Sequence, residues 1–105
     1  MSQDRSHVRK LLTVVTESVL ESQLVRDVER LGARGYTITD ARGKGHRGVR
    51  EAGWETDSNI RLEVVCDEAT ARRIATHLQA HYYDNYAMIL LLGEVEVLRP
   101  EKFQT

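Results

Sequence analysis

The chain has 105 residues, with 15 Lys and Arg against 16 Asp and Glu, a length that fits one domain and excludes two. A net charge of −1 excludes a general nucleic-acid or membrane-surface binder working through bulk positive field, so any basic site must be local. With 41% hydrophobic residues, one proline and a single cysteine, Cys66, the chain reads as a folded soluble protein with a real core. It has no intrachain disulfide and no cysteine-built zinc site.

Residues 1–9 read as a flexible amino terminus. Asp4, Arg5, His7 and Arg9 leave no apolar core for a secretory signal. The longest strongly apolar run, Ala87 to Leu92, is far shorter than the roughly 20 residues a bilayer requires, and a cytoplasmic location is expected. Lys10 to Thr16, KLLTVVT, predicts a first strand. Ser18 with Glu21 three residues on has the form of a capping box, followed by Leu20, Leu24, Val28 and Leu31 at helical spacing and a stop at Gly32. Tyr36 to Thr39 predicts a second strand after Gly35. Ile60, Leu62 and Val64 alternate with Arg61, Glu63 and Val65 as a third. Asp67 is placed to cap a second helix with Ala71, Ile74, Ala75, Leu78 and Tyr82 on one face. After a turn at Asp84-Asn85, Ala87 to Leu98 gives a fourth strand that Gly93 is expected to bend or bulge and Pro100 to end.

This order predicts an α+β fold: a ferredoxin-like βαββαβ sandwich with two helices on one face of an antiparallel sheet, as a single domain over 1–105. Because strand side chains alternate, Leu11, Val14, Val64, Ile89 and Leu91 cannot all face the helices. Apolar surface is left over for another subunit.

Arg42 to Asn59 shows no helix or strand pattern and exceeds the roughly 12–15 residues at which compact domains stop making structureless loops. It opens with RGKGHRGVR, holding Arg42, Lys44, Arg47 and Arg50 with His46, three glycines and no acid. Glycines let backbone N–H groups approach an anion, and Arg or Lys adds charge-assisted hydrogen bonds of about 1.5–3 kcal/mol. That is the chemistry of a phosphate clamp; a solvated basic loop is the alternative. Gly43, Gly45 and Gly48 spell GxGxxG, but no helix follows, so a dinucleotide fingerprint is rejected. Trp54 is either a packing anchor or a partner contact. His77 and His81 lack a third metal ligand, Cys66 reads as a small core residue, and the Tyr82, Tyr83 and Tyr86 cluster reads as packing rather than an RNA platform. No catalytic set and no metal site emerges.

In Gly35-Tyr36-Thr37, in Gly43-Lys44-Gly45-His46-Arg47-Gly48-Val49-Arg50 and in Tyr82-Tyr83-Asp84-Asn85-Tyr86-Ala87, the chain resembles the PII-like signalling proteins, from about Arg9 to Phe103. The loop start is most similar to the carboxysome-associated PII-like type (CPII) and its relative SbtB, which regulates a bicarbonate transporter. The resemblance implies a homotrimer with adenine nucleotide in clefts between neighbouring subunits, and a T-loop, here 42–59, that reports the bound state. It implies that Gly35, Tyr36, Thr37, Gly43, Lys44 and Gly45 line the nucleotide cleft and that Ala87, Met88 and Ile89 offer backbone near adenine. Arg99 would reach in from a neighbour, and Lys44, Gly45, His46, Arg47 and Arg50 would hold phosphate or bicarbonate.

The implied ligands are ADP or AMP, or cyclic AMP, with bicarbonate; no cofactor, metal or nucleic acid is implied. The implied target is a membrane transporter for bicarbonate, in control of inorganic carbon uptake. Departures from the wider family sharpen this picture. His81 to Tyr86 has neither glycine nor lysine, so a triphosphate loses its cradle and ATP is expected to bind weakly. The loop has no tyrosine for uridylylation, and the chain has no cysteine after position 66 for a disulfide-gated tail. The rival readings are a slow nucleotide phosphohydrolase, a trimeric adaptor without a small ligand, and an adenylate sensor with a non-carbon target.

Overall fold

The computed structural model describes residues 7–43, 58–99 and 101. In chain order it has β1 (Val8–Glu17), a 3-10 turn (Ser18–Leu20), α1 (Glu21–Arg30), β2 (Thr37–Ala41), β3 (Asn59–Cys66), α2 (Glu68–Tyr82) and β4 (Met88–Glu96). The strands form one sheet in the order β2-β3-β1-β4 with every neighbouring pair antiparallel. Each helix connects strands that lie two places apart, with the other half's strand inserted between them. This is the expected ferredoxin-like α+β arrangement.

The pleat divides the sheet into two unlike faces. Leu12, Val14 and Thr16 of β1 stand in register with Val64, Leu62 and Ile60 of β3, and all six lie at 2% exposure or less beneath the helices. The turn and α1 contribute Leu20, Leu24 and Val28, and α2 contributes Ala71, Ile74 and Leu78, the positions that helical spacing selected. The intervening strand residues, Leu11, Val15, Val65, Ile89 and Leu91 among them, point the other way, where no element of the described chain covers them. Ile89 and Leu91 remain 54% and 57% exposed. Of the five apolar residues that could not all face the helices, Val14 and Val64 lie inside while Leu11, Ile89 and Leu91 lie on the open face.

Local chemistry explains where the helices begin and end. Asp67 caps α2, its Oδ1 accepting the Thr70 N–H at 2.8 Å, a bond worth about 1 kcal/mol. At the end of α1 the Ala33 N–H reaches the Val28 carbonyl at 2.9 Å and the Gly32 N–H reaches Glu29 at 3.2 Å, the paired closure of a Schellman motif. Gly32 sits at φ 116°, a left-handed conformation that side-chain-bearing residues adopt only with strain. Arg73 of α2 adds a clamp, donating from Nε to the Leu31 carbonyl at 3.1 Å.

Three local expectations are corrected. Ser18 and Glu21 form no capping box: Ser18 opens the 3-10 turn and α1 starts only at Glu21, without a side-chain cap. The Ser18 backbone is tied to the sheet instead, its N–H donating to the Ser58 carbonyl at 2.7 Å. Gly93 makes no bulge in β4, because the ladder with β1 runs unbroken from Val8↔Glu96 to Thr16↔Met88 with Gly93 opposite Leu11. The amino-terminal boundary also moves: Val8 and Arg9 are strand residues, paired with Glu96 and Val95.

Candidate functional site

Strand register decides which candidate residues share a place. Ala41, Asn59 and Glu17 form one cross-strand row, and Met88 stands opposite Thr16 beside it. A second row is Thr37, Glu63, Thr13 and Leu91. The rows are four residues apart along each strand, roughly 14 Å at 3.4 Å per residue. Beyond Ala41, Arg42 and Gly43 leave the sheet at the end where β1 finishes, and Ser58 returns there. Ala87 leads into β4, which Met88 and Ile89 begin, at this same end, across the sheet from Ala41.

Gly35, Tyr36 and Thr37 lie toward the other end, exposed, at the start of the opposite edge strand. Arg99 lies elsewhere, two residues past Val97, whose N–H bonds the His7 carbonyl at 2.7 Å; it follows the end of β4, on the other edge of the sheet and beyond the row that pairs Val8 with Glu96. The described candidates are therefore spread over the sheet, with Gly43 and the start of β4 at one end on opposite edges, Gly35-Tyr36-Thr37 further along the β2 edge and Arg99 past the far end of β4, and a single chain does not bring them together. Lys44, Gly45, His46, Arg47, Arg50 and Trp54 lie outside the described residues, as does most of the expected T-loop.

The turn between α2 and β4 is held tightly from within. The N–H groups of Asn85 and Tyr86 both donate to the Tyr82 carbonyl, at 3.2 and 3.0 Å. The Ala87 N–H donates to Glu17 Oε2 at 2.7 Å, and the Ala87 carbonyl accepts from Thr16 Oγ1 at 2.6 Å. Three consecutive amides are thus committed, and the carboxylate beside them repels an anion. This turn does not form a phosphate nest. It also changes the expectation for Ala87, whose N–H and C=O both point into the brace from β1. Met88 and Ile89 differ: on an edge strand successive residues alternate in pointing their backbone groups into the sheet and away from it, so one of this pair presents its N–H and C=O outward.

Thr16 and Glu17 escaped the sequence reading, which took Thr16 as the end of an apolar strand and gave Glu17 no part. The available signal was a Thr-Glu pair closing a run of branched residues, and nothing local says that it faces a turn some seventy positions later.

Around the helices, polar groups knit α1 to α2. Tyr82 Oη donates to Asp27 Oδ2 at 2.6 Å, and burial, then the Asp27 bond and charge, push the phenol up to about 12. His77 Nε2 lies 3.5 Å from Asp27 Oδ2, and its ring stacks on His81 at 4.0 Å. Among the described residues no group of three His, Cys, Asp or Glu is arranged to hold a metal. Burial, then the neighbouring Asp67 charge, raises the Cys66 thiol to about 11, so it sits in the core as a thiol, as read from the sequence. Among the described residues no helix is long and apolar enough to cross a membrane.

Comparison with known proteins agrees with this architecture. The family described as Nitrogen regulatory protein P-II matches residues 9–102, and the chain belongs to that family. It is a PII-like signalling protein. It is similar to a PII-like signalling protein of Thermus thermophilus, with 50% identity, a TM-score of 0.77, and coverage of 91% of this chain and 95% of that one. A structure of CPII from Thiomonas intermedia bound to ADP, AMP and bicarbonate superposes with a TM-score of 0.78 at 22% identity, over 93% of this chain and 95% of that one. A GlnK–ATP complex from B. subtilis is more distant in shape, with a TM-score of 0.60 at 13% identity over 85% and 83%.

Proposed function

We propose that the protein is a ligand-gated regulator, not a catalyst, which binds ADP or AMP together with bicarbonate in clefts between neighbouring copies of a homotrimer. The separation of the candidate residues carries this reading. A site that draws on Gly35-Tyr36-Thr37, Gly43, the start of β4 and Arg99 needs contributions from more than one copy, because the edges and ends that carry them lie apart in each. The apolar open face, with Ile89 and Leu91 half-exposed, gives the copies a surface to meet on. The bound CPII of Thiomonas intermedia supports the choice of ligands.

Lys44, Gly45, His46, Arg47 and Arg50 supply the anion clamp. Bringing an anion among these cations relieves their mutual repulsion and orders the 42–59 segment, which then presents a different face to its target. A bicarbonate transporter serving inorganic carbon uptake, reached from the cytoplasm, is the target this reading favours.

Calorimetric titration with AMP, ADP, cyclic AMP and ATP, with and without bicarbonate at fixed pH and ionic strength, tests it, because basic clamps are screened by salt. AMP or ADP should bind more tightly in bicarbonate. ATP should bind least well, because the α2–β4 turn offers its γ-phosphate no free amide and places Glu17 nearby. Nucleotide binding indifferent to bicarbonate would leave an adenylate sensor with another target. Phosphate release with turnover would make it a phosphohydrolase, and absence of any nucleotide binding would leave an adaptor.

A further inference from the structure

We infer that Thr16-Glu17-Ser18 is a brace coupling the α2–β4 turn to the point where the chain re-enters the sheet at Ser58, with Glu17 as its positioning residue. Three consecutive residues reach two separate segments. Thr16 Oγ1 donates to the Ala87 carbonyl at 2.6 Å and Glu17 Oε2 accepts the Ala87 N–H at 2.7 Å, so this residue is gripped from both sides. The very next residue donates its N–H to the Ser58 carbonyl at 2.7 Å. All three bonds are at the short end of their ranges, and the one to Glu17 involves a charge.

Between the two contacts there is little slack. Glu17 is in ladder register with Asn59, and Thr16 lies 2% exposed in the core. A displacement of Ala87 must then either break the Glu17 bond or pull the end of β1, and Ser18 moves with it. Taken with the proposed function, on which this extension rests, a nucleotide that settles against the start of β4 is felt at Ser58 through this brace.

The brace can be tested without any ligand, because a contiguous path counts as coupling only when both ends respond. Amide hydrogen exchange of the full chain, resolved by NMR, reports Ala87 and Ser18 separately. In Glu17→Ala both amides should exchange about tenfold faster, the size expected for losing one hydrogen bond to a charged group, while Leu62 and Val64 keep their protection. Glu17→Gln, which retains an acceptor, should recover most of the loss at both amides. Thr16→Val, which loosens the carbonyl side of Ala87, should also speed Ser18 exchange, and it decides the matter if Glu17→Ala does not fold.

Faster exchange at Ala87 with Ser18 unchanged would overturn the brace, as would Glu17→Gln behaving like Glu17→Ala. In a second arm, saturating AMP should alter Ser18 exchange in the parent protein and not in Glu17→Ala; an equal response in both would also overturn it. A parent protein that binds no adenine nucleotide would sink the proposed function instead, and the ligand-free exchange would still decide the brace.

Discussion

The two faces of the sheet are made from the same strands, and only one of them is finished by the chain that builds it. Under the helices, Leu12, Val14, Leu62 and Val64 are fully buried, whereas one residue along in the same ladder Ile89 and Leu91 keep more than half their surface. Composition is only part of the difference, since the open face carries Thr13, Arg61 and Glu63 but also Leu11, Val15, Val65, Ile89 and Leu91. The other part is cover. α1 and α2 both lie on the same side, as two right-handed crossovers in this topology require, so an apolar second face is a statement about neighbours. Substitutions on the two faces should therefore fail in different ways.

The largest effect is expected on the open face. Leu91→Asp places a charge where copies are proposed to meet, and an unpaired buried charge is too costly for an interface to absorb. The assembly should dissociate completely, read as the mass in light scattering, while circular dichroism retains the helices and strands of the parent. Retention of the parent mass would show that the open face is not the contact. On the covered face, Leu62→Ala removes a fully buried side chain and should cost about 2–5 kcal/mol in denaturant unfolding. It should leave the interface surface as it was.

Next in size comes the polar seam between the helices. Tyr82→Phe deletes the Oη donor and leaves Asp27 Oδ2 without it, for an expected loss of about 1.5–3 kcal/mol, the range for a hydrogen bond to a charged group. It should also change the alkaline behaviour. The phenol is raised from 10.0 to about 12 in the fold, so the fold favours its protonated form. That contribution is fully present below pH 10 and is lost as the pH rises through 12. Cys66 adds a second loss, beginning at pH 9.0 and complete past about 11. Unfolding free energy measured between about pH 8 and about pH 11.5 should fall less steeply in Tyr82→Phe than in the parent, and equal slopes would show that the phenol is not the group responsible.

Much of this comparison was legible in the sequence. Period-two alternation in Ile60 to Val65 and helical spacing in Leu20 to Leu31 indicated element type, and the alternation alone implied that some of Leu11, Val14, Val64, Ile89 and Leu91 would be left uncovered, without saying which. Asp67 was recognised as a cap because capping is local. The Ser18–Glu21 pattern misled for the same reason: its form is local, but Ser18 is held by Ser58, across the sheet. Gly93 looked like a bend or bulge because glycine inside a strand often marks one, yet β1 supplies nine consecutive partners to β4. The brace from Thr16 and Glu17, and the spread of the candidate residues over both edges of the sheet, depend on strand order and register, which local pattern does not contain. The basic segment from Arg42 to Arg50 was singled out by its composition and by the family resemblance of Gly43 to Arg50, and its part in binding rests on the titrations.

The smallest effect is the most discriminating. A Cβ added at Gly93 meets nothing within 4 Å in the single chain, and glycine within a strand costs roughly 0.5–1 kcal/mol relative to alanine through the entropy of the unfolded chain. In a Leu91→Asp background, where copies are separated, Gly93→Ala should therefore stabilise by about that amount. If copies meet on this face as proposed, the same methyl in the parent enters the space between sheets, beside Leu11 and Leu91, and should weaken association, because packed interiors respond to a single added methyl group. Denaturant midpoints in the two backgrounds, at matched protein concentration, should move in opposite directions. Movement in the same direction would mean that the copies do not approach each other over Gly93, and would shift the contact along the open face toward Ile89.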